Sequence, residues 1–142
     1  MTMKIIYWSA TGNTEAMATA ILNGAKNAGV DAQLFSVDAI SPQDALSADL
    51  LALGCPAMGC EVLEEGEFEP FFAQLEPNLS GKKVALFGSY DWGDGQWMRD
   101  WQDRVCASGA LLFNGEGLII NNAPDETGLN DCAQFGEQFA KF

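Results

Sequence analysis

Three short stretches of the chain stay apolar with almost no interruption: KIIYW at 4–8, DLLALG at 49–54 and KVALFG at 83–88. A strand with one wet face alternates apolar and polar side chains, so runs of this length without alternation are expected where both faces of a parallel sheet are covered. Two further stretches, AQLFSV at 32–37 and GLII at 117–120, mix in polar residues or glycine and fit strands nearer the sheet edges. Helical spacing fills the intervals. Met17, Ala18, Ile21, Leu22, Ala25 and Ala28 recur on one face, with Gly29 as a stop. A short helix is predicted in PQDALSA after Ser41, a third through Phe68, Phe71, Phe72 and Leu75, a fourth through Trp97, Met98, Trp101 and Val105, and a last over roughly 125–141.

Strand and helix therefore alternate five times, which predicts an α/β three-layer sandwich: a five-stranded parallel sheet with right-handed crossovers and helices on both faces. Without a second mononucleotide-binding half, the strand order 2-1-3-4-5 fits better than the six-stranded dinucleotide order. The length of 142 residues suits one domain spanning 1–142. In this order the first, third and fourth strands are neighbours, so the loops that follow them, SATGNTE (9–15), CPAMGCEVLEEGE (55–67) and SYDWGDG (89–95), must meet at one rim. That rim, at the switch in strand order, is where a ligand is expected.

Composition removes several classes of function. With 20 acidic against 7 basic residues the net charge is −13, which opposes phosphate backbones and anionic membranes and favours basic partners. Histidine is absent, which excludes histidine triads and histidine-ligated metals. Cys55, Cys60, Cys106 and Cys132 form no CxxC pair and read as free thiols. The N-terminal MTMKIIYW enters a strand directly, without a signal-peptide pattern, so a cytoplasmic location is expected.

Each loop has its own chemistry. The first combines the hydroxyls of Ser9, Thr11 and Thr14 and the amide of Asn13 with the opening of a helix, whose free N–H groups favour an anion; no lysine or arginine is present. It matches neither GxxxxGK[ST] nor GxGxxG, and a plain helix cap by Thr11 or Asn13 is the alternative. Nothing in it would hold Mg²⁺, so a phosphate kept permanently, as part of a cofactor, is favoured over one that is hydrolysed. Glu15 in the first turn suits the helix dipole but would repel a phosphate. Trp92, between Asp91 and Gly93 and outside any apolar period, is expected near the surface, where it can stack on a flat ring. Trp97 and Trp101 sit at helical spacing and read as packing residues. Met58 offers a flexible polarizable side chain, and Gly59 a backbone that turns at little steric cost.

These segments resemble the flavodoxins, specifically the short-chain type of anaerobic bacteria. YWSATGNTE, LGCPAMGCEVLEEGEFEPFF and GKKVALFGSYDWGDGQWMRDW are similar to that family's phosphate loop and two flavin-flanking loops, in order and spacing, and the likeness runs over the whole chain. The order 2-1-3-4-5 is itself a known property of the family. The resemblance implies noncovalent FMN. Its phosphate would lie on the loop Ser9, Ala10, Thr11, Gly12, Asn13 and Thr14, with Ser9, Thr11, Asn13 and Thr14 as donors. The second loop would contribute Pro56, Ala57, Met58, Gly59, Cys60 and Glu61, and the third Ser89, Tyr90, Asp91, Trp92 and Gly93. Met58 and Trp92 would flank the isoalloxazine, Glu61 would meet N3–H, and the backbone of Ser89 to Asp91 the pyrimidine edge or ribityl chain. Gly59 would turn its carbonyl toward N5–H, stabilising the neutral semiquinone.

Fully reduced FMN carries charge near N1, and Glu61, Glu64, Glu65, Glu67 and Glu69 lie in or just after one flavin loop. At about 10 Å and an effective dielectric of 20 to 40, each carboxylate disfavours that anion by on the order of 1 kcal/mol. A low-potential couple is therefore expected. Three residues depart from familiar forms of the family: Pro56 where a hydroxyl can help hold phosphate, Cys60 after the turning glycine, and Asp91 in place of a frequent glycine.

The function implied is a low-potential electron carrier cycling mainly between semiquinone and hydroquinone. It would be a monomer without a substrate of its own, serving larger redox enzymes with basic docking surfaces, such as ferredoxin- or flavodoxin-dependent oxidoreductases. An FMN-dependent NAD(P)H or quinone reductase on the same fold is the alternative. A phosphoacceptor domain of the same strand order ranks last, because its acidic residues are missing from YWSAT and LGCPAM.

Overall fold

The structure, a computed structural model, describes residues 1–142. In chain order the elements are β1 (Thr2–Tyr7), α1 (Asn13–Asn27), β2 (Asp31–Ser36), α2 (Pro42–Leu46), β3 (Leu50–Gly54), α3 (Phe68–Leu75), β4 (Lys83–Tyr90), α4 (Gln96–Ala107), β5 (Leu111–Leu112), β6 (Leu118–Asn121) and α5 (Glu126–Phe139). The sheet is parallel throughout, in the order β2-β1-β3-β4-β5, with β6 also paired to β4.

The continuous apolar runs have the predicted cause. Every residue of β3 is buried, and the sheet divides two cores between its faces. Ile6, Leu51, Leu53, Val84 and Leu86 face α3 and α4, where they meet Phe68, Phe72, Trp97 and Trp101. Met3, Ile5, Leu50, Ala52, Ala85 and Phe87 face α1 and α5, where they meet Met17, Ile21, Phe135 and Phe139. Trp101 receives the edges of two rings, Phe68 at 5.4 Å and Phe72 at 5.9 Å, so its packing role is fixed by geometry.

The strand count differs from the expected five. The fifth place in the sheet is shared: β5 pairs with Lys83 and Val84 at the start of β4, and β6 pairs with Phe87 to Tyr90 at its end. Between them the chain makes a tight turn at Phe113–Gly115, with Asn114 at φ 63°, which drops the Phe113 ring among Phe135, Phe139 and Phe142. A two-residue strand is too short to show a period, so the sequence reveals only its second half.

Candidate functional site

The loops after β1, β3 and β4 converge on a cavity of ≈ 250 Å³ at the carboxyl rim of the sheet, and the loop after β6 closes it as a fourth wall. Its lining consists of Trp8, Ser9, Ala10, Thr11, Asn13, Thr14, Pro56, Ala57, Met58, Ser89, Tyr90, Asp91 and Asn122. Eleven of the residues expected from the sequence thus share one wall. Gly12, Gly59, Cys60, Glu61, Trp92 and Gly93 lie beside it and do not line it. Trp8 and Asn122 were absent from the expected set. Trp8 is nevertheless expected near the phosphate loop from its place at the end of the first strand, and it lies there half-buried. Asn122 follows the weak last strand and gives no sequence signal.

The first loop is built around one side chain. Ser9 Oγ accepts from the Gly12 N–H at 3.1 Å and, more weakly, from the Glu15 N–H at 3.4 Å, so it caps α1 from outside the helix. Neither Thr11 nor Asn13 acts as the cap. Gly12 is the N-cap residue at φ 94°, a left-handed conformation that a side chain rarely adopts. The N–H groups of Ala10, Thr11, Asn13 and Thr14 find no acceptor in the protein. Thr14 is buried; its hydroxyl shares a hydrogen bond of 3.0 Å with Ser89 Oγ and accepts from the Ser89 N–H at 3.4 Å, tying the first loop to β4. Glu15 is turned elsewhere: its carboxylate accepts from the Tyr7 hydroxyl at 2.9 Å and forms no part of the cavity wall. Burial, together with that bond to Glu15, raises the Tyr7 pKa. The conflict between an acidic first turn and a bound phosphate is thereby relieved.

The second loop folds back through Glu61 N–H to Met58 O at 2.8 Å and Met58 N–H to Val62 O at 3.0 Å, with Glu61 at φ 54°. The Glu61 carboxylate reaches the opening of α4, where Oε2 accepts from the Trp97 N–H at 2.9 Å. Its other oxygen, Oε1, is buried and without a donor. It fits beneath the third loop only because residue 93 is glycine: a Cβ there would stand 1.6 Å from Oε1, and φ is +98°. Trp97 also donates from Nε1 to Cys55 O at 3.1 Å and packs against Tyr90 at 5.7 Å, so a single core residue ties the second loop to the third. Trp92 is 64% exposed, an indole with little covering it.

The acidic residues of the second loop are mostly occupied elsewhere. Glu64 accepts from the N–H groups of Gly66, Glu67 and Phe68 and so caps α3. Glu69 pairs with Arg104 at 2.6 Å, and Glu67 accepts from Trp8 Nε1 at 3.3 Å. None of these lines the cavity; Asp91 is the one carboxylate that does. Cys55 is buried, and burial pushes its thiol up to about 12, whereas Cys60 is exposed at the turn.

The donor set suits FMN. Four free N–H groups at a helix opening, with nearby hydroxyls and no cation, form a cradle for a phosphate ester. The orphaned Glu61 Oε1 lacks the kind of N–H partner that a flavin pyrimidine ring supplies.

The comparisons agree with this chemistry. The flavodoxin family model matches residues 5–136. A flavodoxin of Clostridium beijerinckii is 50% identical over 138 residues, covering 97% of this chain and 99% of its own, and one of Megasphaera elsdenii is 46% identical, covering 98% of each. The solution structure of two-electron reduced Megasphaera elsdenii flavodoxin superposes with a TM-score of 0.89 over 99% of both chains, at 46% identity. With these relatives at nearly full length and a cation-free phosphate cradle at the expected rim, the chain belongs to the flavodoxins, the FMN-carrying electron-transfer proteins.

Proposed function

We propose that the cavity residues hold FMN, with the phosphate on the N–H groups of Ala10, Thr11, Asn13 and Thr14 and on the Thr11 and Asn13 side chains. Met58 and Trp92 would flank the ring, and Glu61 would accept from its N3–H. The observation that carries this reading is the set of four unpartnered N–H groups on residues that line the cavity together with Met58, Tyr90 and Asp91. The Ser9 and Thr14 hydroxyls, expected at the phosphate, also serve the loop itself. Their hydroxyls accept from protein N–H groups and shape the loop, so they keep the cradle's N–H groups pointing outward.

Bound FMN supplies reversible single-electron chemistry, and the protein's part is to exclude water, orient the ring and set the surrounding charge. Uncharged donors at the phosphate end bind without offering a metal or leaving-group site, as befits a permanent cofactor. Asp91 places the only carboxylate on the wall, which opposes added negative charge in the cavity. With Met58 and Trp92 flanking the ring, little room would remain for a nicotinamide, which would favour electron transfer over hydride transfer.

The partners fitting this surface are larger redox proteins with basic docking sites, since the chain carries a net charge of −13. A reductive titration of the FMN-loaded protein should resolve two separate one-electron steps, without steady consumption of NADH or NADPH. Sustained turnover of either nucleotide by the isolated protein would assign it to the reductases instead.

A further inference from the structure

The third loop is held in place from a part of the chain with no chemistry of its own in the expected site. Asn121, the last residue of β6, donates from Nδ2 to two successive carbonyls, Tyr90 O at 3.2 Å and Asp91 O at 3.0 Å. The Asn122 N–H also donates to Tyr90 O, at 2.6 Å, and Asn122 stands at φ 60°, a left-handed conformation that asparagine tolerates better than most residues. Both carbonyls of the loop's first turn are therefore drawn toward the β6 edge.

The consequence follows from peptide planarity. In a trans peptide the C=O and N–H point in opposite directions, so drawing Tyr90 C=O toward β6 turns the Asp91 N–H toward the β3 side, where Pro56, Ala57 and Met58 line the cavity. The next N–H, of Trp92, is already taken by Asp91 Oδ1 at 2.8 Å. The Asp91 N–H has no acceptor in the protein. Among the N–H groups that follow β4 without an acceptor, it is the one on a residue of the cavity wall.

We propose that Asn121 is a positioning residue for the cofactor: by holding the Tyr90 and Asp91 carbonyls it aims the Asp91 N–H at an acceptor oxygen or nitrogen of the flavin. This rests on the reading of the cavity as an FMN site. Asn121 is exposed, so its value cannot lie in core packing. Its side-chain amide is a donor at the spot where the backbone ladder between β4 and β6 ends, and it extends that ladder by one more carbonyl.

The test uses the full-length chain with Asn121→Ala and Asn121→Leu, the second close to the native side chain in size, uncharged and without the donor. Wild-type protein should bind FMN, measured by flavin fluorescence quenching; failure at that step would sink the FMN reading itself. Given wild-type binding, both variants should bind FMN roughly tenfold more weakly, the scale of one or two lost hydrogen bonds. The Asp91 amide resonance should shift, while the affinity of the apoprotein for inorganic phosphate stays unchanged. FMN affinity equal to wild type in both variants would overturn the proposal. So would a parallel loss of phosphate affinity, which would indicate general loosening of the rim.

Discussion

Contacts within the protein itself do much to shape this site. Glu64 shows how. Burial acts against its charged form, yet the N–H groups of Phe68, Glu67 and Gly66 outweigh that and hold its pKa below the ordinary 4.5. A depressed folded-state value means that the carboxylate stabilises the fold fully above the unfolded value and that this contribution is lost as pH falls through the folded one. Glu64→Ala should therefore cost about 1 kcal/mol at neutral pH, the usual worth of a helix cap. In urea denaturation the gap between variant and wild type should close as pH drops below about 4.5. Thr14 makes a sharper case, because its hydroxyl and that of Ser89 are both buried and serve each other. Thr14→Val keeps the shape and leaves Ser89 without that partner, so the apoprotein should lose about 1–3 kcal/mol. FMN affinity should fall as well, since Thr14 links the phosphate loop to β4. A valine variant as stable as wild type would show that the link is dispensable.

At the scale of elements, the pair α1 and α5 covers one face of the sheet, and two glycines set the distance between the helices. A Cβ on Gly24 would stand 1.8 Å from the Ala133 carbonyl oxygen, and one on Gly136 would stand 2.1 Å from that of Ile21. Alanine at an ordinary helix position is favoured over glycine by about 1 kcal/mol. Here the sign must reverse, because the obstacle is backbone on the neighbouring helix. Gly24→Ala and Gly136→Ala should each lower stability by about 3 kcal/mol, at the upper end of overpacking costs, read as a fall in the urea midpoint. The helices themselves were legible in the sequence, α1 from the helical spacing of Met17 and Ile21 and α5 as an interval over roughly 125–141; their closeness was not, because nothing local marks a glycine as an interhelical contact. The same division holds for the site. That the loops holding Ser9 to Thr14, Pro56 to Met58 and Ser89 to Asp91 meet could be read from strand order, and their individual residues from loop composition and the resemblance to flavodoxins. Asn121 and Asn122 could not, because they follow a strand whose first half is two residues long and whose middle is a turn around Phe113. The roles of Ser9 and of the loop glutamates were also hidden, because a carboxylate or hydroxyl reveals its partner only once the chain has folded back on itself.

On the scale of the whole molecule, charge is the dominant feature and is unevenly used. Arg104, the most committed of the few basic groups, is held between Glu69 at 2.6 Å and Glu76 at 3.0 Å and stacks over Phe72, so it offers nothing to a partner. Lys82 donates to the carbonyls of Leu46 and Ala48, and Lys4 to that of Asp44, which places both at the rim opposite the cavity. Asp91 lines the cavity, and Asp94 and Trp92 on the loop after β4 and Val62 and Glu65 on the loop after β3 are exposed. Asp94 is the exception in pairing with Arg99 at 2.9 Å, and both of those side chains are open to solvent, where screening makes the pair weak. A basic partner would thus be steered to this rim over distances of about 8–10 Å at moderate salt. Single-electron transfer from the reduced protein to a lysine-rich haem protein should slow severalfold as ionic strength rises from about 0.05 to 0.5 M, because screening removes the long-range attraction. Asp91→Asn and Glu65→Gln should flatten that dependence, whereas charge removal at the far rim, by Asp49→Asn, should leave it unchanged. Stopped-flow rates that ignore salt, or that respond equally to both rims, would mean that association is governed by the apolar contact at Trp92 and Val62 and not by the field around it.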